Sequence, residues 1–152
     1  MVEWELVDEL SKSHGHQAAV LRVQWADPEF GSVIASSSFD KQVIIWEEVE
    51  AKEKDKKQWQ RKYMFTEKEA INDIKFAPRH WGLVIVIAVA DGSINMHAAT
   101  DLNNLTQWKE GVSKFRTISH GCNCLSWNPA FDEPQMFIVG CSSSPLNIPQ
   151  SQ

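Results

Sequence analysis

His16, Ser36, Ser38 and Asp40 are the residues whose types could do chemistry together. Imidazole, hydroxyl and carboxylate are the three groups of a nucleophilic hydrolase. There the carboxylate orients the imidazole, and the imidazole takes the hydroxyl proton. That chemistry also needs a serine on a sharp, exposed turn and backbone N–H groups for the oxyanion. The chain has no Gly-x-Ser-x-Gly elbow and no glycine-rich oxyanion loop, so catalysis is not expected and a structural use of the trio is. Cys122 and Cys124 are a second candidate, for metal. Two thiols at i, i+2 without a further His or Cys pair at ligand spacing make a poor site, and no metal is expected. Placed in a strand, the two would share one face and serve as small apolar filling. A third candidate is the run over residues 47–57, with five acids and four bases. The acids cancel the bases, which disfavours a phosphate patch. A solvated loop between two strands is expected there, with partner docking as its functional alternative.

The rest of the composition narrows the classes further. Net charge is −5 and the isoelectric point is about 5.5, which argues against nucleic acid as a direct partner. Residues 1–5 show no basic segment leading into an apolar one, so no signal peptide is read. The longest apolar run, LVIVIAVA over 83–90, is too short to span a membrane, which takes about 20 residues in a helix. It is a natural length for a buried strand. Three cysteines in such a chain read as reduced thiols of cytosol or nucleus. Nothing calls for a cofactor, since a phosphate loop and suitably spaced paired carboxylates are both missing.

The elements that position these residues emerge from an internal repeat. VQWADPEFGSVI (23–34) aligns without a gap on IKFAPRHWGLVI (74–85), an offset of 51 residues. Trp25 pairs with Phe76, Gly31 with Gly82 and Asp40 with Asp91, and LSWNP (125–129) places Trp127 a further 51 along. The first unit reads as strands at 20–25, 33–38, 42–46 and 59–65. The second reads as strands at 71–76, 83–89, 93–97 and 112–118. Asp91-Gly92 is a strong hairpin signal, because both residues tolerate positive φ. Only residues 101–108 offer a turn or more of helix. Four short antiparallel strands recurring at this period are the signature of β-propeller blades, so the fold class is all-β, a partial propeller. Trp25, Phe76 and Trp127 are expected in blade cores, and Asp91 and Gly92 in a blade turn.

The first unit, LRVQW (21–25) followed by VIASSSFDKQVIIW (33–46), resembles a WD repeat with Trp-Glu at its end. In that family a histidine, a Ser or Thr, the turn aspartate and the terminal tryptophan form a hydrogen-bonded tetrad. The resemblance assigns these roles to His16, Ser36 or Ser38, Asp40 and Trp46. WADPEFG (25–31), SFDK (38–41), WEE (46–48), DIKFAPRH (73–80), NLTQW (104–108) and LSWNP narrow it further. These are similar to the small WD-repeat nucleoporins of the Y-shaped outer ring of the nuclear pore, relatives of the COPII-coat propeller subunit. The resemblance implies an open propeller that an elongated helical scaffold nucleoporin completes with a blade of its own. It implies a non-catalytic scaffold role in protein and mRNA transport at the nuclear envelope. In animals it also implies a role in the GATOR complex that relays amino-acid status to TOR kinase, in cytoplasm or at the lysosomal surface.

On this reading residues 1–12 hold the outer strand of a preceding blade, at 4–10. Residues 13–66 are a WD blade, 67–118 a degenerate blade, 119–141 the start of another and 142–152 an irregular tail. The second unit departs from the pattern, with His97 in the place of the terminal tryptophan and Glu67 in the place of His16. A closed ring needs roughly twice this length, so a truncated, fragmentary or diverged copy is expected. Its blade edges would be uncovered, and 83–90 would be an aggregation hazard unless a partner covers it. Ser142–Pro145 carries a Ser-Pro phosphorylation pattern in an expected frayed end.

Overall fold

The structure, a computed structural model, describes residues 1–11, 13–53, 56–117, 121–142 and 148–151. It contains three antiparallel sheets stacked face to face. The first blade runs β1 (Val20–Trp25), β2 (Val33–Ser38), β3 (Gln42–Glu50) and β4 (Lys57–Thr66), in that spatial order. The second repeats it with β5 (Ile71–Phe76), β6 (Val84–Val89), β7 (Ser93–Ala99) and β8 (Trp108–Arg116). The third has β9 (Cys122–Trp127) and β10 (Phe137–Cys141). This is part of a WD40-type propeller, all-β and unclosed.

β6 shows why the blades stack in this order. Its side chains alternate, as strand geometry requires. Ile85, Ile87 and Val89 pack with Val33, Ala35, Val43, Ile45 and Phe65 of the first blade. Val84, Val86 and Ala88 pack with Cys122, Leu125, Phe137 and Val139 of the third. Every residue of β6 is buried. The run expected to need a partner's cover is therefore covered by the chain itself, on both faces.

A β-bulge recurs in the inner strands. Pairing shifts between Val20 and Arg22, between Ile71 and Asp73, and opposite Gly140 and Cys141. The extra residues are Leu21, Asn72 and Asn123, at the repeat spacing. A bulge turns the following side chain to the other face. This corrects the expectation for Cys122 and Cys124. Cys122 is buried in the apolar cluster between the second and third blades, and Cys124 is exposed.

Other expectations also change. Residues 4–10 form no strand. They are exposed, because the sheet such a strand would join is not among the described residues. Trp25 is 64% exposed, because the face it occupies has no preceding blade against it; Phe76 and Trp127, at the same repeat position, pack against the two apolar clusters. The charged run is not one long loop. β3 and β4 extend into it, pairing Glu47 with Gln60 and Glu50 with Lys57. Glu47 and Glu48 meet Lys62 and Lys57 at 3.2 and 3.4 Å, so part of the mixed charge is cross-strand pairing. Residues 101–107 form turns rather than helix. The only helical turns among the described residues are short 3₁₀ turns at Pro28–Phe30 and Arg79–Trp81, each closed by a glycine at φ 86° or 82°. Within the tail, Met136 bridges Gln150, and Ser151 donates to Gln135 at 2.8 Å, which caps part of the β10 edge. Ile118, Ser143, Ser144 and Pro145 lie outside the described residues.

Candidate functional site

His16 sits in the segment that crosses the leading face of the first blade, where Gly15 lies against the Trp46 ring. Its Nδ1 donates to Asp40 at 3.0 Å, and its Nε2 meets the Ser36 hydroxyl at 2.8 Å. The Trp46 indole N–H donates to the same hydroxyl at 2.8 Å. The Trp46 N–H donates to Ser36 and the His16 Nδ1–H to Asp40, and His16 Nε2 lies within reach of both the Ser36 hydroxyl and the Ser36 carbonyl, the latter at 3.2 Å. Asp40 also accepts the backbone N–H groups of Gln17 and Gln42, at 2.9 and 3.0 Å. Burial works against its charge, but these donors and His16 outweigh burial and hold the carboxyl below the usual carboxylate range. Of the two candidate hydroxyls, Ser36 joins the chain of hydrogen bonds. Ser38 instead accepts from the Asp40 N–H at 3.2 Å and shapes the turn.

The connectivity Ser36–His16–Asp40 is that of a hydrolase triad. Its use differs because the Ser36 oxygen is buried and takes the Trp46 N–H on the lone pair that a nucleophile would present. The arrangement satisfies buried polar groups and ties the entering chain to the β2–β3 turn.

The second blade is built differently at the same place. Asp91 turns inward on Ser93, accepting its N–H at 2.9 Å and its hydroxyl at 3.0 Å. Burial again opposes the charge, and Ser93, Arg116 and Lys114 more than offset it, so the carboxyl lies below its usual range. Gly92 takes φ 89° in that turn. His97 is buried, stacks on Phe65 with centroids 4.4 Å apart, and accepts the Gly111 N–H on Nδ1 at 3.1 Å. Glu67 takes a hydrogen bond of 2.7 Å from the Asn95 amide. Histidine is smaller than tryptophan, and a cleft of about 670 Å³ opens beside it, bordered by Glu67, Lys68, Glu110 and Lys114.

Sequence reasoning missed Asp73. It lies on the inner strand β5, 3% exposed. One carboxylate oxygen accepts the Leu125 N–H of β9 at 2.8 Å, and the other faces the Arg22 guanidinium of β1 at 3.5 Å. Beside it, Asn72 donates to the Cys122 carbonyl at 2.7 Å. Asp73 therefore links all three blades. A signal was present: repeat position 22/73/124 reads Arg, Asp, Cys, which sets opposite charges on neighbouring units. Among the described residues no cluster of His, Cys, Asp and Glu could hold a metal.

Similar proteins fit this geometry. No family model matches the chain. Nucleoporin SEH1 of Danio rerio is 38% identical over 136 residues, covering 85% of this chain and 37% of the relative. Nucleoporin SEH1 of Homo sapiens is 37% identical over 139 residues, with 87% and 38% covered. The chain thus spans a little over a third of the length of these relatives. Among solved structures, Sqt1 from Chaetomium thermophilum superposes with a TM-score of 0.70 at 16% identity, covering 88% of this chain and 31% of that one. At that identity the likeness shows the fold alone. The chain is thus folded as part of a β-propeller and is similar in sequence to Nucleoporin SEH1 over most of its own length.

Proposed function

We propose that the chain serves as a non-catalytic scaffold piece of the nuclear pore, binding an elongated helical nucleoporin at the nuclear envelope and so supporting protein and mRNA transport. The observation that carries this reading is its similarity to Nucleoporin SEH1 over 85% or more of its own residues. The uncovered face of the first blade supports it. There Val20, Val23 and Trp25 are 51%, 65% and 64% exposed, at positions that elsewhere in the chain meet a neighbouring blade. A partner strand or blade laid on this face would gain backbone hydrogen bonds at the sheet edge and bury alternate side chains. The structural role assigned to His16, Ser36, Asp40 and Trp46 is to hold that blade in shape.

The test is size-exclusion chromatography with light scattering, on the chain alone and co-expressed with an elongated helical scaffold nucleoporin. A one-to-one complex that Trp25→Asp weakens is the expected result. Separate elution of the two proteins would overturn the proposal.

A further inference from the structure

Cys122 and Cys141 face each other across the third blade. They are the first residue of β9 and the last of β10, paired in the antiparallel ladder. The Ser142 N–H donates to the Gly121 carbonyl at 3.0 Å, so a ladder hydrogen bond lies just outside the pair. That makes it a non-hydrogen-bonded pair, the closer of the two kinds, with Cα atoms about 4.5 Å apart. A disulfide spans Cα separations of about 4.4–6.8 Å. Both side chains point to one face, toward the apolar cluster between the second and third blades. The repeat supports this placement: the equivalent pair of the second blade, Ile71 and Val89, also shares one cluster. Cys124 is excluded as a partner for either thiol. The bulge sends it to the other face, where its Sγ fills the space that a Cβ on Gly140 would take.

We propose that Cys122 and Cys141 form an oxidative modification site, which a peroxide converts to a cross-strand disulfide. Cys141 is partly exposed and Cys122 is buried, so the peroxide reaches Cys141 first. The Cys141 thiolate attacks one peroxide oxygen, the O–O bond breaks, and a sulfenic acid and one water form. The Cys122 sulfur then attacks the Cys141 sulfur and the S–O bond breaks. The departing hydroxide takes the Cys122 proton and leaves as a second water. In sum, two thiols and one peroxide give one disulfide and two waters. Burial pushes the Cys122 thiol up, which slows its own reaction with peroxide. Its attack on Cys141 is helped instead by position, because the ladder already holds the two sulfurs opposite each other. The bond fastens the end of the two-stranded sheet that lies away from its connecting segment. Those strands cover Val84, Val86 and Ala88 of the second blade, so oxidation latches the cover in place. This inference does not depend on the scaffold reading, because neither cysteine lies on the uncovered face of the first blade.

The test is mass spectrometry of the folded chain after brief exposure to hydrogen peroxide, with remaining thiols alkylated and digestion carried out without reduction. Residues 117–152 hold no lysine or arginine, so an aspartate-specific protease is used, and cleavage before Asp132 parts Cys141 from Cys122 and Cys124. In Cys124→Ser, which alters an exposed side chain, the expected result is the loss of two hydrogens and a Cys122–Cys141 cross-link in most molecules. Excess glutathione should reverse it. Cys122→Ser should form no internal cross-link and should leave a sulfenic acid at Cys141 that dimedone traps. The Cys124→Ser result stands by itself if Cys122→Ser fails to fold. If Cys141 of Cys124→Ser gains oxygen without a cross-link, stays unmodified, or is cross-linked to Cys122 only in urea, the proposal is overturned.

Discussion

Replacing Asp73 by alanine should destabilise the whole stack, although the residue sits in one strand. Its carboxylate accepts the buried Leu125 N–H at 2.8 Å, caps the Ile74 N–H at 3.0 Å and faces Arg22 at 3.5 Å. A buried hydrogen bond to a charged group contributes about 1.5–3 kcal/mol, and losing it leaves a buried N–H unpaired. The Arg22 side chain is half exposed, so that pair adds only about 0.2–1 kcal/mol. The bond to Ile74 joins adjacent residues of one strand and is left out of the sum. A net cost of about 2–4 kcal/mol follows, dominated by Leu125. For a domain of this size each kcal/mol moves Tm by roughly 2–4 °C, so the midpoint should fall by about 5–15 °C. Asp73→Asn keeps an acceptor for Leu125 and should lose less than half as much. Calorimetry on the parent and both variants makes the comparison, and hydrogen exchange at the Leu125 amide reports the bond itself. If Asp73→Ala melts within a degree of the parent, or no lower than Asp73→Asn, the bridge contributes nothing and the reasoning fails.

Three further outcomes are expected. Asp40→Ala removes the acceptor for His16, Gln17 and Gln42 and should cost about 1–3 kcal/mol in urea unfolding, since two of its donors are only partly buried. Stability should also depend on acid. Asp40 and Asp91 have folded-state pKa values below their unfolded ones. Their contribution is therefore complete above about pH 4–5 and is lost as pH falls through the folded-state values; urea midpoints should be level from pH 7 to about 5 and drop below 4, and a level midpoint down to pH 3 would contradict this. Finally, the thiols should differ. Burial pushes the Cys122 thiol up, while Cys124 is exposed, so a disulfide reagent should modify Cys124 on the intact fold and Cys122 only on unfolding.

The blades were legible because one offset relates an aromatic, a glycine and an aspartate, and a propeller blade repeats all three. The WD-repeat resemblance, rather than that alignment, assigned His16, Asp40 and Trp46, whose side-chain geometry then follows from the strand and turn positions. Three things were hidden, each for a physical reason. Alternation cannot reveal a bulge, so Cys122 and Cys124 were placed on one face. Side-chain type cannot say whether a neighbouring blade exists, so Trp25 was placed in a core that its position alone does not create. Asp73 reads as the polar residue of an alternating strand until Arg22 and Leu125 are seen on either side. The open cleft at His97 was visible only as a missing tryptophan.

The two-sided burial of β6 has a consequence for how the chain behaves when interrupted. Each blade touches only its sequence neighbours, so the stack approximates a one-dimensional array whose stability is the sum of its interfaces. The middle blade carries both interfaces, and it has no free-standing form to fall back on. A stop or cut before β9 would uncover Val84, Val86, Ala88, Ile94 and Met96 at once and turn a continuous interior into an adhesive surface. The two strands of the third blade thus cover that face, and the solubility of the first two blades depends on them.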